Sequence, residues 1–392
     1  MEYRMDASNL AQNAIRGRWA IAAVFFVNGF LTGSWAPQIP VFLTRLDIGE
    51  FTLGLLILGF GAGAVSAMAW AGHLIARHGS QKVVRLFGAA GTFGLLLVAL
   101  APNVPVAAIT MYLFGGMIGA MDVAMNANAV TVEKRLSRAI MSSSHGFWSL
   151  GGFFGGGLGG IAIQNYGHLA HAAGVTVVAI AAMAVALRYV IPDLPVAQEH
   201  RTFRLPRSLG VYVIGLMALL TMNSEGAVLD WAALYLRQEL GADIATAGFA
   251  FAAFAGAMAL MRFMGDGVRN RLGAVTTFRI SSLVAAGGML VAGLSPWPWL
   301  VIGAFAVSGL GIANMVPILF SAAGNQAGVS PGAGMSVVTT MGYSGILAAP
   351  SLIGFVGERT GFSPVFIAVA ALLVLVFLMA GLTRAADFPT DQ

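Results

Sequence analysis

The stretch that decides the fold is residues 105–131, PVAAITMYLFGGMIGAMDVAMNANAVT. It is long enough to cross the hydrocarbon core of a bilayer, and Asp122 is its only charged residue. Segments of the same kind recur along the chain. Hydrophobic residues make up 58% of the sequence, charged residues only 9%, and the mean hydropathy is +0.83, so lipid must be the solvent for most of the surface.

The apolar segments do not alternate with polar residues as the strands of a membrane barrel do. We therefore predict an all-α membrane protein with about twelve transmembrane helices. The predicted spans are residues 18–44, 52–76, 83–101, 105–131, 139–163, 170–191, 209–235, 244–265, 274–294, 297–322, 333–357 and 362–384.

The placement of basic residues predicts the orientation. With both termini in the cytoplasm, all of the 21 Lys and Arg residues except Arg45, Arg237 and Arg359 lie on the cytoplasmic side. We expect a multi-pass protein of the bacterial cytoplasmic (inner) membrane. The net charge of +5 then reflects topology, and no nucleic-acid partner is expected. The expected partners are the lipid bilayer and a small-molecule solute, and we expect a monomer.

A polar stretch, PDLPVAQEHRTFRLPRS, divides the spans six and six. It predicts an N-terminal six-helix half (1–191), a cytoplasmic linker (192–208) and a C-terminal six-helix half (209–392). Landmarks recur between the halves at offsets of 192 to 196 residues. The paired landmarks are Arg45 and Arg237, Arg77 and Arg271, Gly119 and Gly311, and Gly146 and Gly342. Such pseudo-symmetric halves predict a solute site between them, near the middle of the membrane.

A loop motif after the second span resembles a known family signature. Residues 72–82, GHLIARHGSQK, resemble the G-x-L-x-D-R-x-G-R-R/K signature of the major facilitator superfamily (MFS). The acidic position is Ala76, a departure that removes one expected partner of the cytoplasmic latch between the halves. A second copy, GDGVRNRLG, follows the eighth span. The gate-motif residues of the two copies are Gly72, Arg77, Gly79, Lys82, Asp266, Arg271 and Gly273.

Four further segments resemble the MosC/YbjJ-like branch of this superfamily, which is distantly similar to fucose permeases. They are FFVNG…GSWAPQIP (25–40), DVAMN (122–126), SSHGFWSLGG (143–152) and EGAVLDW (225–231). The resemblance covers nearly the whole chain. It implies the MFS fold and a secondary active transporter of small polyol- or amino-sugar-like solutes. It implies no cofactor, with an ion gradient as the energy source.

Four titratable residues inside spans are candidates for proton coupling: Asp122, Glu225, Asp230 and His145. A buried carboxylate is costly in lipid, so such an acid is expected to be protonated during part of a transport cycle. Glu225 and Asp230 lie about 140° apart around a helix, which predicts a bend or unwinding near Gly226 if both face one cavity. Each residue could instead be held by neighbouring polar groups. Carboxylates and amides also bind Na⁺, so sodium coupling stays an alternative.

Polar and aromatic side chains in the spans are candidates for binding the solute. They are Asn28, Thr32, Trp35, Asn126, Trp148, Asn223, Asn314 and Tyr343. The first three share one helix face, and Pro37 and Pro40 after them predict a kink. We expect no Lys or Arg deep in a span, which disfavours anionic solutes and favours neutral or amine-bearing ones.

The sequence supports one alternative function and disfavours two others. The glycines between Gly151 and Gly160 resemble a motif of proton-coupled drug antiporters, with Gly156 in place of its proline, so an efflux antiporter of drugs or metabolites is the alternative function. An enzyme is not expected, because the chain has no cysteine, no His-Glu-x-x-His motif and no evident metal site. An ATP-driven pump would need a phosphate-binding loop that the sequence lacks.

Overall fold

The computed structural model describes residues 7–193 and 206–387, and all of its secondary structure in these two ranges is helical. We call the first range the N-terminal part and the second the C-terminal part. Most of the predicted linker, residues 194–205, lies outside the described residues. The helices are α1 (Ala7–Trp35), α2 (Gln38–Leu46), α3 (Glu50–His78), α4 (Ser80–Gly91), α5 (Gly94–Leu100), α6 (Val104–Leu136), α7 (Met141–Tyr189), α8 (Leu209–Gln238), α9 (Ile244–Leu272), α10 (Ala274–Leu294), α11 (Pro298–Ile312), α12 (Met315–Gly324), α13 (Pro331–Thr360), α14 (Ser363–Leu378) and a final 3-10 helix (Ala380–Ala386).

Ten helical segments of the described residues are long and apolar enough to cross a membrane; two of these segments combine neighbouring helices, α4 with α5 and α11 with α12. A bent pair formed by α14 and the 3-10 helix would be an eleventh. α7 counts once among the ten although it has 49 residues. A straight helix of that length would measure roughly 74 Å, more than twice the thickness of a hydrocarbon core. It is broken at Gly167, whose φ of 83° and ψ of 165° are not helical.

The outer surface of the bundle is apolar. Ile109, Val177 and Leu294 are exposed by 62%, 67% and 66%, and many other large apolar side chains are exposed as well. Side chains of this kind are rarely so exposed in water, whereas lipid tails solvate them without cost. The exposed surface therefore agrees with the membrane setting that the hydropathy predicts.

Four glycine turns connect consecutive helices through one residue, or two at Gly361. They are Gly79, Gly167, Gly273 and Gly361, with φ between 77° and 83° and ψ between 158° and 173°. Only glycine adopts this conformation without strain. Gly273 follows Gly79 by 194 residues, and Gly361 follows Gly167 by the same 194. The common offset supports an internal repeat.

Two aspartates cap the helices that follow a glycine turn. Asp193 accepts hydrogen bonds from the backbone N–H groups of Ser80 and Gln81, at 2.9 and 3.1 Å, at the start of α4. Asp387 accepts one from the backbone N–H of Ala274 at the start of α10. The two caps are again 194 residues apart. A carboxylate at a helix N-terminus satisfies N–H groups that lack a partner within the helix.

Three predicted spans are interrupted. The first, 18–44, is divided at Ala36 and Pro37 into α1 and α2, in agreement with the kink predicted from its prolines. The third and tenth spans are interrupted between α4 and α5 and between α11 and α12. The second of these breaks includes Asn314.

Glycines bring α7 close to its neighbours. A Cβ atom at Gly151 would lie 2.1 Å from the carbonyl oxygen of Phe26 on α1. A Cβ atom at Gly156 would lie 3.2 Å from the backbone nitrogen of Ala252 on α9. Because lipid provides little hydrophobic force between helices, such close backbone contact is what holds them together. α7 thus links α1 of the N-terminal part to α9 of the C-terminal part.

The bundle has two ends. The basic end includes the helix ends at His78, Leu136 and Leu272, and the opposite end includes those at Trp35, Gln238 and Thr360. At the opposite end, hydrogen bonds join the two parts of the chain. The Nε2 of Gln238 donates to Glu50 Oε1 at 2.8 Å, and the backbone N–H of Phe51 donates to Glu358 Oε2 at 2.8 Å.

A third hydrogen bond at the opposite end joins α7 and α9, where the backbone N–H of Ala245 donates to Gln164 Oε1 at 2.9 Å. A fourth lies deeper, where the hydroxyl of Ser351 on α13 donates to the carbonyl of Gly54 on α3 at 3.2 Å. The opposite end is therefore closed on two sides by contacts between the N-terminal and C-terminal parts.

Candidate functional site

A central cavity of about 280 Å³ lies between the two parts of the chain. Its walls come from α1, α3, α6 and α7 on one side and from α8, α9 and α13 on the other. Most of the surface is apolar and aromatic, with a few polar groups pointing inward. The polar and polar-aromatic lining residues are Asn28, Thr32, Trp35, Asp122, His145, Trp148, Glu225, Asp230, Arg262 and Tyr343. Such a wall, apolar with few convergent polar groups, is typical of small-molecule sites.

Asp122 on α6 is held by groups from both parts of the chain. The Nδ2 of Asn126, one turn further along, donates to Asp122 Oδ1 at 3.2 Å and to the Asp122 carbonyl at 2.9 Å. The hydroxyl of Tyr343 on α13 donates to Asp122 Oδ2 at 3.5 Å, the limit of a hydrogen bond. Asn126 thus supports Asp122 and is not itself among the lining residues. Two residues predicted separately, Asp122 and Tyr343, meet across the cavity.

Asn28 positions the indole of Trp148. The Nε1–H of Trp148 donates to Asn28 Oδ1 at 2.9 Å, and the Asn28 Nδ2 donates to the carbonyl of Ile118 at 3.3 Å. Asn28 is 1% exposed, and its amide is already hydrogen-bonded to groups of α6 and α7, so its role is to position these helices and not to bind a solute directly. Thr32 lines the cavity, but its hydroxyl donates to the Asn28 carbonyl at 2.9 Å.

The two acids of α8 both line the cavity. Glu225 and Asp230 are on the same uninterrupted helix, so the unwinding predicted near Gly226 does not occur. The cavity is wide enough to meet both sides of the helix, which is why a separation of about 140° does not keep either acid out. Trp35 on α1 is close enough to Asp230 for a hydrogen bond between the side chains.

Arg262 on α9 lines the cavity, contrary to the prediction that no basic residue lies deep in a span. Its Nη2 lies 3.7 Å from Glu225 Oε2, and its Nη1 donates to the hydroxyl of Ser149 at 2.5 Å. Its guanidinium carbon lies 5.9 Å from the ring centre of Trp148. The side chain is only 14% exposed. It therefore joins an acid of the C-terminal part to α7 of the N-terminal part.

The count of basic residues in loops and helix ends places Arg262 on the cytoplasmic side, because it takes no account of where a long side chain extends. The signal was present in the sequence: Arg262 interrupts an apolar run, FAFAAFAGAMALMRFM over 249–264, inside a segment long enough to cross the membrane. A long side chain anchored near the end of such a segment can extend toward the middle of the bundle. The presence of a guanidinium removes the argument against anionic groups in the solute.

His145 also lines the cavity, with its ring edge-on to Phe25 at 5.1 Å between centres. Besides Asn126, two predicted residues lie away from the cavity. Asn223 is on the α8 face that packs against α13, where a Cβ at Gly345 would lie 2.5 Å from its Oδ1. Asn314 lies in the break after α11, and its Oδ1 contacts Gly265 on α9. The repeat pairs Asn314 with Asp122 and so predicts that both face the cavity. Because the helix is interrupted at Asn314, its side chain points in a different direction.

The gate motifs form turns at the basic end. Gly79 and Gly273 are glycine turns, while the side chains of Arg77, Lys82 and Arg271 are exposed. Gly72 is in α3 with open space beside it. The side chain of Asp266 lies outside the part of the chain that the structure describes. The caps of these turns, Asp193 and Asp387, were not predicted, although their spacing of 194 residues can be read from the sequence.

No group of three or more His, Cys, Asp or Glu side chains suited to a metal ion occurs within residues 7–193 and 206–387. The ion pair of the cavity is the one between Glu225 and Arg262. Asp122 and Asp230 line the same cavity without an ion pair among the described residues. The site therefore combines two unpaired carboxyl groups, one acid–guanidinium pair and aromatic walls, a set suited to polar contacts with a solute.

Comparisons with known proteins agree with this architecture. A family model described as Major Facilitator Superfamily matches residues 211–391. An uncharacterized MFS-type transporter of Yersinia pestis is 36% identical over 353 residues, covering 90% of this chain and 92% of that protein. Membrane protein MosC of Rhizobium meliloti is 31% identical over 363 residues, covering 91% and 88%. An uncharacterized transporter of Sinorhizobium fredii is 32% identical over 368 residues, covering 92% and 96%.

Solved structures give the same fold. A crystal structure of a variant of the nucleoside transporter NupG matches with a TM-score of 0.71, covering 93% of this chain and 99% of that chain. A second NupG structure matches with a TM-score of 0.67. The sequence identity is 14% in both cases, so the likeness is one of fold.

Proposed function

We propose that this chain, which belongs to the major facilitator superfamily of membrane transporters, is a secondary active transporter that works by alternating access. The observation that carries the proposal is the central cavity, because titratable groups from both parts of the chain line it. Asp122 on α6 contacts Tyr343 on α13, and Arg262 on α9 contacts Ser149 on α7. Contacts of this kind change when two halves rock about a fixed site.

We propose twelve membrane crossings in two six-helix halves, 1–191 and 209–392, acting as a monomer. Gly167 divides α7 into two arms, of which each is long enough to cross, and α14 with the 3-10 helix provides the last crossing. The repeated glycine turns and aspartate caps support the two halves. We place the basic end and both termini in the cytoplasm of a bacterium, since positive residues favour that side of the inner membrane.

We propose that the solute is small, polar, and neutral or amine-bearing, such as a sugar-like or polyol-like compound. Asp122 and Asp230 supply acceptors for hydroxyl or ammonium groups, while Trp35 and Trp148 offer flat faces to a ring. With Arg262 paired to Glu225, the cavity keeps an excess of acidic over basic groups. This excess favours a cation or a hydroxyl-rich solute over an anion.

We propose that protons drive the transport. Protonation of Asp122 or Glu225 removes a charge that is costly in the closed cavity, and so permits the cavity to face the other side. A proton on Asp122 would also change its contact with Tyr343, and a proton on Glu225 would weaken its attraction to Arg262. Either event loosens a contact between elements that must move.

The first experiment is a thermal-shift screen of purified protein against sugars, polyols, amino-sugars, amines and lipophilic cations at two pH values. The stabilising solute is then used in proteoliposomes with an imposed pH gradient. We expect Asp122→Asn and Glu225→Gln each to reduce pH-driven transport at least tenfold. The matched control is Asp47→Asn, an exposed residue with φ of 51° that asparagine tolerates. Unchanged pH-driven transport in both cavity variants would end the proton proposal.

The alternative, a proton-coupled efflux antiporter, would appear in the same screen as stabilisation by varied lipophilic cations and by no single polar solute. Its sequence argument, the glycines of α7, has a packing explanation. Gly151 and Gly155 contact the backbone of α1, and Gly156 and Gly160 contact that of α9. These glycines therefore do not favour efflux over uptake.

A further inference from the structure

A second cavity lies at the basic end, behind the central one. It has a volume of about 220 Å³, and we call it the arginine pocket because Arg18, Arg138 and Arg262 line it. Its other walls include Ser143 and Phe263. The three arginines come from α1, from the connection after α6 and from α9, so separate elements of both parts converge on one space.

One nitrogen of the Arg18 guanidinium in this pocket lacks an acceptor among the described residues. Arg18 donates from Nη2 to the hydroxyl of Ser143 at 2.6 Å, whereas its Nη1 is buried and has no hydrogen-bond partner among the described residues. A buried N–H of a charged group is costly to leave unpaired. An anion in the pocket would supply the missing acceptor.

The charges around the pocket leave a positive excess. Glu133 faces Arg18, but its Oε1 accepts hydrogen bonds from the backbone N–H groups of Ile140 and Met141 at 2.6 and 3.0 Å. Glu225 faces Arg262 from the central cavity. Among the described residues, two acids thus face the three arginines, which leaves an excess of one positive charge. Like charges held together in this way repel one another unless an anion joins them.

We propose that the arginine pocket binds a phosphate group. Guanidinium groups that approach from several directions suit a tetrahedral phosphate, whose oxygens point in as many directions, better than a planar carboxylate. The volume equals that of about seven water molecules, enough for a phosphate and part of its substituent. The phosphate belongs either to a small soluble anion or to the headgroup of an anionic lipid, since the exposed Arg138 opens the pocket at the membrane surface.

The arginine pocket is separate from the proposed solute site, but the two cavities share one lining residue, Arg262. A phosphate in the pocket competes with Glu225 and Ser149 for this guanidinium. Binding at the basic end therefore changes the electrostatic surroundings of the central cavity without occupying it.

The test uses the full chain and needs no transported solute, so it is independent of the transport proposal. Inorganic phosphate is titrated against purified protein, with chloride at equal ionic strength as reference. In parallel, protein from nanodiscs of phosphatidylglycerol or phosphatidylcholine is examined by native mass spectrometry for retained lipid. Arg18→Gln and Arg138→Gln are compared with Arg188→Gln, an exposed arginine at the same end.

We expect binding of phosphate or retention of phosphatidylglycerol, weakened tenfold or more by Arg18→Gln and by Arg138→Gln and unchanged by Arg188→Gln. Arg18→Lys should weaken it less, because it keeps the charge but loses the planar fork. Arg138 is exposed, so its variant tests the site even if Arg18→Gln misfolds. Retention of the lipid with weak binding of phosphate identifies the headgroup, and the converse identifies a soluble anion. Equal effects of phosphate and chloride without lipid retention, or binding indifferent to both glutamine variants, would overturn the proposal.

Discussion

At the scale of single residues, the central feature is the pair formed by Glu225 and Arg262. The side chains are only 20% and 14% exposed, at 3.7 Å from each other. Removing one member of such a pair leaves the other charge with poor solvation, whereas removing both leaves none. The change in stability when one or both members are replaced therefore tells whether the cavity is a low-dielectric space or a water-filled one.

We expect Arg262→Gln to lower the free energy of unfolding by about 2 kcal/mol, less than the cost for a fully buried pair because the cavity admits water. Combining it with Glu225→Gln should recover at least half of that loss. The measurement is a double-mutant cycle on the melting of purified protein, with Arg188→Gln as control. If the double variant loses as much as the sum of the single variants, the two side chains do not interact.

Residues also show where sequence reasoning reached its limit. Asp122 and the first-span set of Asn28, Thr32 and Trp35 could be placed at the cavity, because helical spacing fixes which residues share a face. Asn314 could not, since a helix break shifts the phase. Arg262 could not be placed there either, because a count of charges in loops does not tell how far a long side chain extends into the bundle.

At the scale of helices, the glycines of α7 determine how the two parts meet. The contact between Gly151 and the Phe26 carbonyl allows α1 and α7 to touch along their backbones. Hydropathy predicts that such helices exist and roughly where they end. It does not predict which neighbours they touch, because every lipid-embedded helix presents similar apolar residues to lipid and to protein.

We expect Gly151→Ala to lower the melting temperature of the purified protein by several degrees, because a Cβ 2.1 Å from the Phe26 oxygen forces the helices apart. The matched control is Gly174→Ala in the second arm of α7, where a Cβ would meet nothing within 4 Å. Alanine favours the helix there, so the control should melt at the same or a higher temperature. Equal destabilisation by both substitutions would mean that the close contact between α1 and α7 does not matter.

A helix cap gives a separate prediction about pH. Asp243 begins α9 outside the apolar spans and accepts a hydrogen bond from the Thr246 backbone N–H at 2.7 Å, which lowers the pKa of its carboxyl group. A lowered pKa in the folded state means that the stabilisation is present above the ordinary pKa and disappears as the pH falls through the lowered one. Asp243→Ala should therefore reduce the melting temperature slightly at pH 7 and less at pH 3. An effect that grows toward acid pH would contradict this assignment.

At the scale of the whole molecule, the two parts are joined at the opposite end by Gln238 to Glu50, Phe51 to Glu358 and Ala245 to Gln164. Alternating access requires these contacts to break when the basic end closes. The internal repeat could be foreseen from the spacing of loop motifs, and the six-plus-six division stays a prediction. The closed state of the opposite end could not, because one sequence must support at least two arrangements.

Because the chain has no cysteine, spin labels attach only to cysteines that are introduced by substitution. We expect labels at Asn165→Cys and Thr360→Cys, at the opposite end, to move apart when the pH or the stabilising solute is changed. Labels at Arg188→Cys and Arg271→Cys, at the basic end, should move together. A pair within the N-terminal part, Leu100→Cys and Asn165→Cys, should keep its distance. Changes of the same sign at both ends would exclude a rocking motion.

The glycine turns have a consequence for how the protein is made. Gly167 and Gly361 join helices at the opposite end through connections of only one and two residues, so very little hydrophilic chain has to be carried through the lipid there. Each pair of helices can leave the ribosome and enter the bilayer as one hairpin, with its polar backbone already satisfied inside the two helices. Lengthening either turn by a few charged residues would therefore slow insertion into the membrane, even if the finished protein worked normally.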